Sequence, residues 1–211
     1  MAFPGRIFIA RHGETVFNAA RRMQGTAQQT PLTHNGFAQA DAMGKALAKW
    51  LGTHQTLELW ASPAGRALQT MAIATHHLSG DYFTVQQDAR LREIDTGRWG
   101  GMSYADVQRE YGPFIETNTG LFTLVPEDGE SYAQVGERLR EWIDHLPPHP
   151  VDRLVVMHGM SSRVLRGLLL GLEPHPRFGV PIAPAVAQGS LVMIGGGVEK
   201  LIRVDHSGDH E

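Results

Sequence analysis

The chain has 211 residues, of which 42% are hydrophobic and 19% are charged, and this composition is typical of a soluble globular domain. Its formal net charge of −3 lacks the basic excess of nucleic-acid-binding proteins, and no polybasic run offers contact with a membrane surface. The absence of cysteine excludes disulfides, thiolate nucleophiles and thiolate metal ligands. We therefore expect a single domain over residues 1–211 that binds neither nucleic acid nor a membrane. Its oligomeric state is not indicated.

The start of the chain does not have the pattern of a secretion signal. Residues 1–5 contain no charged segment that leads into a long apolar stretch, as a signal peptide would need. No apolar run approaches the roughly 18 residues that cross a bilayer. We expect a cytoplasmic protein.

The first two predicted elements are a strand and a helix. Ile7–Ala10 has the continuous apolar character of a buried strand, which ends at Arg11-His12-Gly13. A polar stretch then leads to Thr33, which is positioned to cap a helix over His34–Leu51. The residues expected on the buried face of that helix are Phe37, Ala40, Met43, Leu47 and Leu51.

A second strand and helix follow the same pattern. Leu57–Ala61 is predicted to be a strand, and Ser62-Pro63 is predicted to open the next helix, because a proline in the first turn loses no hydrogen bond. Tyr82–Val85 is predicted to be a third strand, at the edge of the sheet.

The remaining elements are predicted from a capping box, a buried apolar run and a glycine-rich turn. In chain order they are a helix from Ser131 to Leu146, a strand over Arg153–Met157, a helix that starts after His158-Gly159 and ends near Gly171, and a hairpin of Ser190–Ile194 with Lys200–Val204.

The alternation of strands and helices predicts an α/β fold with right-handed crossovers between parallel strands. Ligands of such sheets bind beyond the carboxyl ends of the strands. Three predicted strands end in charged or imidazole residues, at Arg11-His12-Gly13, Ser62–Arg66 and His158-Gly159. Since these ends meet at one edge of the sheet, the pattern predicts an anion-binding site there.

The residue types at this edge suit phosphoryl transfer. Arg11 and Arg66 offer planar guanidinium groups that match two phosphate oxygens, and Arg66 is expected in the first turn of a helix, which also attracts anions. A neutral His12 could attack phosphorus and carry it covalently. His158 and Asn18 could donate further hydrogen bonds to the bound phosphate.

The leaving alkoxide needs a proton, and a carboxyl group is the expected source. Glu93, in the segment Leu91–Asp95, is the predicted proton donor. Asp95 in the same segment is the alternative.

Six ordered blocks that span nearly the whole chain resemble the histidine phosphatase superfamily, also called the phosphoglycerate-mutase-like family. They are Arg11-His12-Gly13-Glu14-Thr15 with Asn18; Arg22-Met23-Gln24-Gly25 with Pro31-Leu32-Thr33, Gly36 and Gln39-Ala40; Ser62–Thr70; Leu91–Asp95 with Gly97, Trp99 and Gly101; Gly129-Glu130-Ser131; and Val156–Gly159. The chain departs from the family pattern between Gly25 and Pro31, at Thr96, at Gly100 and at Gln188-Gly189-Ser190.

The resemblance implies a three-layer α/β/α sandwich around a mixed, mostly parallel sheet. It also implies a phosphohistidine intermediate on His12, with Arg11, Arg66 and His158 in the phosphate pocket, Glu93 as proton donor, and neither a metal nor another cofactor. Further binding residues are expected within the matching motifs, namely Asn18, Gln24, Gly25 and Gly159.

The family contains phosphatases and mutases, and the segment 100–131 is predicted to form a lid over the site. Six of its side chains are acidic, against the single base Arg109, so we expect the lid to repel a second phosphate. We therefore predict a metal-independent phosphatase that acts on a small-molecule phosphate ester. The alternatives are a phosphoglycerate-mutase-type phosphotransferase and a phosphate- or protein-binding module without turnover. The acidic lid residues are Asp106, Glu110, Glu116, Glu127, Asp128 and Glu130.

Overall fold

A mixed sheet forms the centre of the computed structural model, which describes residues 5–53 and 56–204. Its strands lie in the order β3-β2-β4-β1-β5-β6. Neighbours from β3 to β1 are parallel, while β5 and β6 join the far edge in antiparallel orientation. The strands are β1 (Ile7–Arg11), β2 (Leu57–Ala61), β3 (Gln86–Gln87), β4 (Asp152–Met157), β5 (Leu191–Gly195) and β6 (Val198–Ile202).

Helices cover both faces of the sheet, because alternate strand residues point to opposite faces and both sets are apolar. Ile7 and Ile9 of β1 pack in one hydrophobic cluster with α5 and α6, whereas Phe8 and Ala10 pack in another with α2 and α3. This arrangement confirms the predicted three-layer fold. The helices are α1 (Val16–Ala19), α2 (His34–Leu51), α3 (Gly65–Thr75), α4 (Tyr104–Tyr111), α5 (Tyr132–Asp144) and α6 (Gly159–Leu170), with short 3₁₀ turns at Tyr82–Thr84, Ala89–Leu91 and Gly97–Trp99.

Capping residues place the ends of two helices where they were predicted. The Thr33 side chain accepts a hydrogen bond from the Gly36 backbone N–H at the start of α2. Ser131 and Gln134 form a reciprocal capping box at the start of α5. Both predicted starts are thereby confirmed.

Phe37, predicted to be buried, is 48% exposed. The buried position in the first turn of α2 belongs to Gly36, whose Cα lies against the backbone of Glu14. The apolar face is therefore rotated by one residue at this end of the helix, and the prediction for Phe37 is wrong.

Two further boundaries differ from the prediction. The helix expected to open at Ser62-Pro63 begins at Gly65 instead. The strand expected at Tyr82–Val85 is a 3₁₀ turn, because the Asp81 carboxylate accepts a hydrogen bond from the Phe83 N–H and bends the chain. The edge strand follows at Gln86–Gln87.

Candidate active site

An open cleft lies at the edge where β1, β2 and β4 end. Its wall contains every predicted site residue except His158, which lies behind His12 with the two ring centroids 5.2 Å apart. The topological rule for parallel strands therefore located the cleft correctly. The predicted residues that line it are Arg11, His12, Asn18, Gln24, Gly25, Arg66, Glu93 and Gly159.

His12 is held in a single tautomer at the end of β1. Its Nδ1 lies 2.7 Å from the Gly13 carbonyl oxygen, and since a carbonyl can only accept, Nδ1 carries the proton. The lone pair is thus on Nε2. Burial, followed by the positive charges of Arg66 and Arg11, lowers the pKa of His12 well below its ordinary value of 6.5. The ring is neutral at physiological pH.

The guanidinium group of Arg11 has N–H donors that no protein group accepts among the described residues. Its Nε is buried without a hydrogen-bond partner among the described residues, and its Nη1 donates one long hydrogen bond, of 3.4 Å, to the Val186 carbonyl. The guanidinium group lies across the start of α6, where a Cβ on Gly159 would approach its Cζ to 3.2 Å. Because an unpaired buried donor costs free energy, this side chain is prepared to receive an acceptor.

Arg66 is more fully engaged. Its Nη1 donates to the Ala27 carbonyl and to Thr30 Oγ1, its Nη2 donates to the Gly25 carbonyl, and its Nε donates to His158 Nδ1. Burial lowers the pKa of Arg66 to about 10, so the group stays charged. Four of its five N–H donors are used, which leaves one on Nη2 for a ligand.

The hydrogen bonds of His158 differ from the expectation. Its Nδ1 accepts from Arg66 Nε at 3.2 Å, so the proton is on Nε2, which donates to Ser62 Oγ at 2.7 Å. Burial, followed by Arg66 and His12, lowers the pKa of His158 well below 6.5. With both ring nitrogens bonded to protein, His158 positions Arg66 and presents no free N–H to the cleft.

Glu93 joins the cleft to the start of α6. Its Oε1 accepts from the Ser161 and Ile94 backbone N–H groups, while Oε2 accepts from the Met160 N–H alone. Asp95, the alternative proton donor, accepts from the Gly97 N–H and is absent from the cleft wall. The geometry favours Glu93.

Asn18 points its amide oxygen toward protein. Oδ1 accepts from Gln188 Nε2 at 2.6 Å and from the Thr15 backbone N–H, while its amide N–H groups have no partner among the described residues. Gln24 Oε1 accepts from Thr15 Oγ1 at 2.9 Å. Gly25 has φ +47°, and a Cβ there would collide with Thr96.

Sequence reasoning missed two arginines of the cleft wall, Arg22 and Arg163. Arg163 follows Gly159 by four residues on α6, and this spacing places both on one helix face. The aromatic residues Tyr104 and Phe122 also line the cleft.

The acidic residues of segment 100–131 are not part of the cleft wall, although the charge of Glu116 acts on Arg163, which lines it. The expected repulsion of a second phosphate stays a prediction. Three of them form ion pairs with arginines outside the cleft wall, and Glu127 pairs with Arg98. Glu130 is 7% exposed and binds Arg138 and Arg92, and Asp106 binds Arg109. Sequence gives the charge of a side chain but not its direction.

Within residues 5–53 and 56–204, no group of three or more His, Asp or Glu side chains is placed to hold a metal ion. None of the helices in these ranges combines the length and the apolar character needed to cross a membrane.

Comparison with known proteins gives the family. The model of the histidine phosphatase superfamily (branch 1) matches residues 7–201. A probable phosphoglycerate mutase of Yersinia enterocolitica is 33% identical over 174 residues, which cover 81% of this chain and 77% of that protein.

Two solved structures share the fold. A mycobacterial glucosyl-3-phosphoglycerate phosphatase has a TM-score of 0.71 and 27% identity, with 93% of this chain and 97% of that one covered. A proposed alpha-ribazole-5′-P phosphatase from Escherichia coli has a TM-score of 0.72 and 27% identity, with 95% of each chain covered. The chain belongs to the histidine phosphatase superfamily.

Proposed function

We propose that the protein is a phosphatase that hydrolyses a small phosphomonoester through a phosphohistidine on His12, without a metal. One observation carries this proposal: a buried, neutral imidazole with its lone pair on Nε2 lies beside Arg11, whose buried Nε lacks a partner. A phosphate group satisfies both, since it supplies acceptor oxygens for Arg11 and an electrophilic phosphorus for His12.

In the first step the ester's phosphoryl oxygens bind Arg11, the remaining N–H of Arg66 and the amide of Asn18. His12 Nε2 attacks phosphorus, the P–N bond forms, and the P–O bond to the alcohol breaks with its electron pair on oxygen. Glu93 gives that oxygen a proton. Its Oε2 accepts one hydrogen bond against two for Oε1, so Oε2 has the free position for this proton.

In the second step water attacks the phosphohistidine. Glu93, now a carboxylate, takes a proton from the water, and the P–N bond breaks with its electron pair returning to Nε2. Inorganic phosphate leaves and His12 is again neutral. The hydrogen bond from Nδ1 to the Gly13 carbonyl keeps the ring oriented through both steps.

The competing function is a mutase, and two observations favour it. Relatives such as the Yersinia protein carry the name of a phosphoglycerate mutase. The cleft wall also contains four arginines against the single carboxylate of Glu93. We place the phosphatase first because structures with phosphatase names cover at least 93% of this chain.

Inorganic phosphate release from p-nitrophenyl phosphate, with a chelator present, tests the proposal. We expect turnover by the wild type and by the His145→Ala control, whose histidine is exposed, and none by His12→Ala. Equal rates in all three would refute the His12 mechanism, and no turnover in the wild type would favour a binding module. With phosphoglycerate as substrate, a phosphatase releases phosphate, whereas a mutase forms the isomeric phosphoglycerate.

We also propose that segment 100–131 closes over the bound ester, since it contributes Tyr104, Thr119, Gly120 and Phe122 to the cleft wall. The cytoplasmic location stays a prediction from the sequence.

A further inference from the structure

Most of the buried arginines are paired with a carboxylate, as a buried charge requires. The buried pairs are Arg138 with Glu130, Arg153 with Glu58 and Arg166 with Glu199. Arg66 and Arg163 are the buried arginines without such a partner among the described residues, and both line the cleft. The phosphate site accounts for Arg66. Arg163 remains unexplained by the proposed chemistry.

Arg163 is 5% exposed, and its bonds go to uncharged groups. Nε donates to the Ala183 carbonyl and Nη1 to the Thr119 carbonyl, each at 2.9 Å. Nη2 has no hydrogen-bond partner among the described residues. Two neutral carbonyls fix the plane of the guanidinium group. Its positive charge interacts with the Glu116 carboxylate, but the two side chains form no ion pair among the described contacts.

The distance from the phosphate site suits a small substrate. Arg163 lies four residues along α6 from Gly159, against which Arg11 packs, and four residues rise about 6 Å along a helix. Phe122, Met160 and Val186 contribute apolar surface to the same cleft. A short carbon chain can therefore run along this wall from the phosphoryl group toward Arg163.

We infer that Arg163 binds a second anionic group, a carboxylate or a second phosphate, on the alcohol part of the substrate, and thereby selects acidic phosphomonoesters. The inference rests on the proposed phosphomonoester hydrolysis. It gives the cleft two anion sites: one at Arg11 and Arg66, where phosphorus reacts, and one at Arg163, where the leaving group is recognised. An anion there compensates the buried charge and uses the free Nη2 donors.

Three esters, each with three carbon atoms, test this inference. Propyl phosphate has an uncharged end, 2-carboxyethyl phosphate has a carboxylate, and 1,3-propanediol bisphosphate has a second phosphate. We expect the wild type to prefer at least one charged ester over propyl phosphate by about tenfold or more in kcat/KM, as a charged hydrogen bond provides. The ester with the higher kcat/KM shows whether Arg163 binds a carboxylate or a second phosphate.

Arg163→Gln is expected to lower that preference ratio by about tenfold, because it removes the charge while keeping an amide donor for a carbonyl. Arg163→Lys retains the charge and is expected to restore part of the ratio. The matched control is Arg166→Gln, three residues along the same helix, where the arginine is 1% exposed and paired with Glu199. It is expected to keep the wild-type ratio even where both rates fall.

A wild-type ratio near one would overturn the inference, and so would the same ratio in Arg163→Gln as in Arg166→Gln. If p-nitrophenyl phosphate turnover still depends on His12 in that case, the inference alone fails and the proposed function stands. If no ester is turned over, or if His12→Ala is as active as the wild type, both fail together.

Discussion

The ends of β1 and β4 look alike in sequence and differ in structure. Each strand ends in a His-Gly pair, and in each case burial is the largest cause that lowers the pKa of the histidine. His12 has one ring nitrogen bonded to protein and one with a free lone pair, whereas both nitrogens of His158 are bonded. Hydrogen bonding, and not burial or charge, therefore separates His12, the proposed nucleophile, from His158, which binds Arg66.

The largest expected effect is a difference between the two alanine variants. His12→Ala removes the nucleophile and is expected to lower kcat by about 10⁴-fold or more. His158→Ala frees Arg66 Nε and disturbs one phosphate contact, with an expected loss on the order of 10²-fold. Steady-state kinetics with p-nitrophenyl phosphate measure both. Equal losses would mean that the two histidines share one role.

The Glu93→Gln variant tests how strongly departure of the leaving group depends on a proton from Glu93. We expect kcat/KM, which reports the first chemical step, to fall about 10²- to 10³-fold for an alkyl phosphate and less than tenfold for p-nitrophenyl phosphate. Asp95→Asn is the control and is expected to affect the two esters alike. A larger loss on the alkyl phosphate in Asp95→Asn would move the acid role to Asp95.

The smallest effect concerns stability against pH. Both histidines have folded pKa values well below 6.5, so between those values and 6.5 the unfolded chain binds protons that the folded chain does not. The free energy of unfolding is therefore highest above pH 6.5 and falls as the pH drops below it, by at most about 1.4 kcal/mol per pH unit for each histidine. Urea unfolding between pH 7.5 and 5 measures this slope.

A control variant makes that slope specific. His158→Ala is expected to show a shallower fall with pH than the wild type, and the exposed His145→Ala the same fall. Identical slopes in all three proteins would show that the neutral imidazoles do not set the acid stability.

Sequence patterns were sufficient for the α/β class and for the place of the cleft, whereas the three-layer arrangement was implied by the family resemblance. The apolar runs of β1, β2 and β4 and the rule that parallel strands end at one edge bring His12, Arg66 and His158 together without any knowledge of side-chain conformation. The cap residues Thr33 and Ser131 set helix starts for a similar reason, since a cap acts on its own local backbone.

The directions of the side chains could not be predicted from these sequence patterns. The bonds of His158 depend on Ser62 and Arg66, which are distant in sequence, and the carboxylate of Glu130 pairs with Arg138. The prediction that Phe37 is buried was wrong, because close backbone packing at Gly36 rotates the buried face of α2 by one residue. The place of Arg163 could have been predicted, because it follows Gly159 by four residues and therefore lies on the same helix face.

Trapping the phosphoenzyme tests the assignment of His12 most directly. Glu93→Gln mixed with radiolabelled p-nitrophenyl phosphate is expected to accumulate label, because the activated ester needs little acid while hydrolysis of the intermediate has lost its base. The label should be acid-labile and base-stable, map to His12, and be absent from the Glu93→Gln, His12→Ala double variant. Turnover without any label, or equal label in the double variant, would contradict a phosphohistidine at His12.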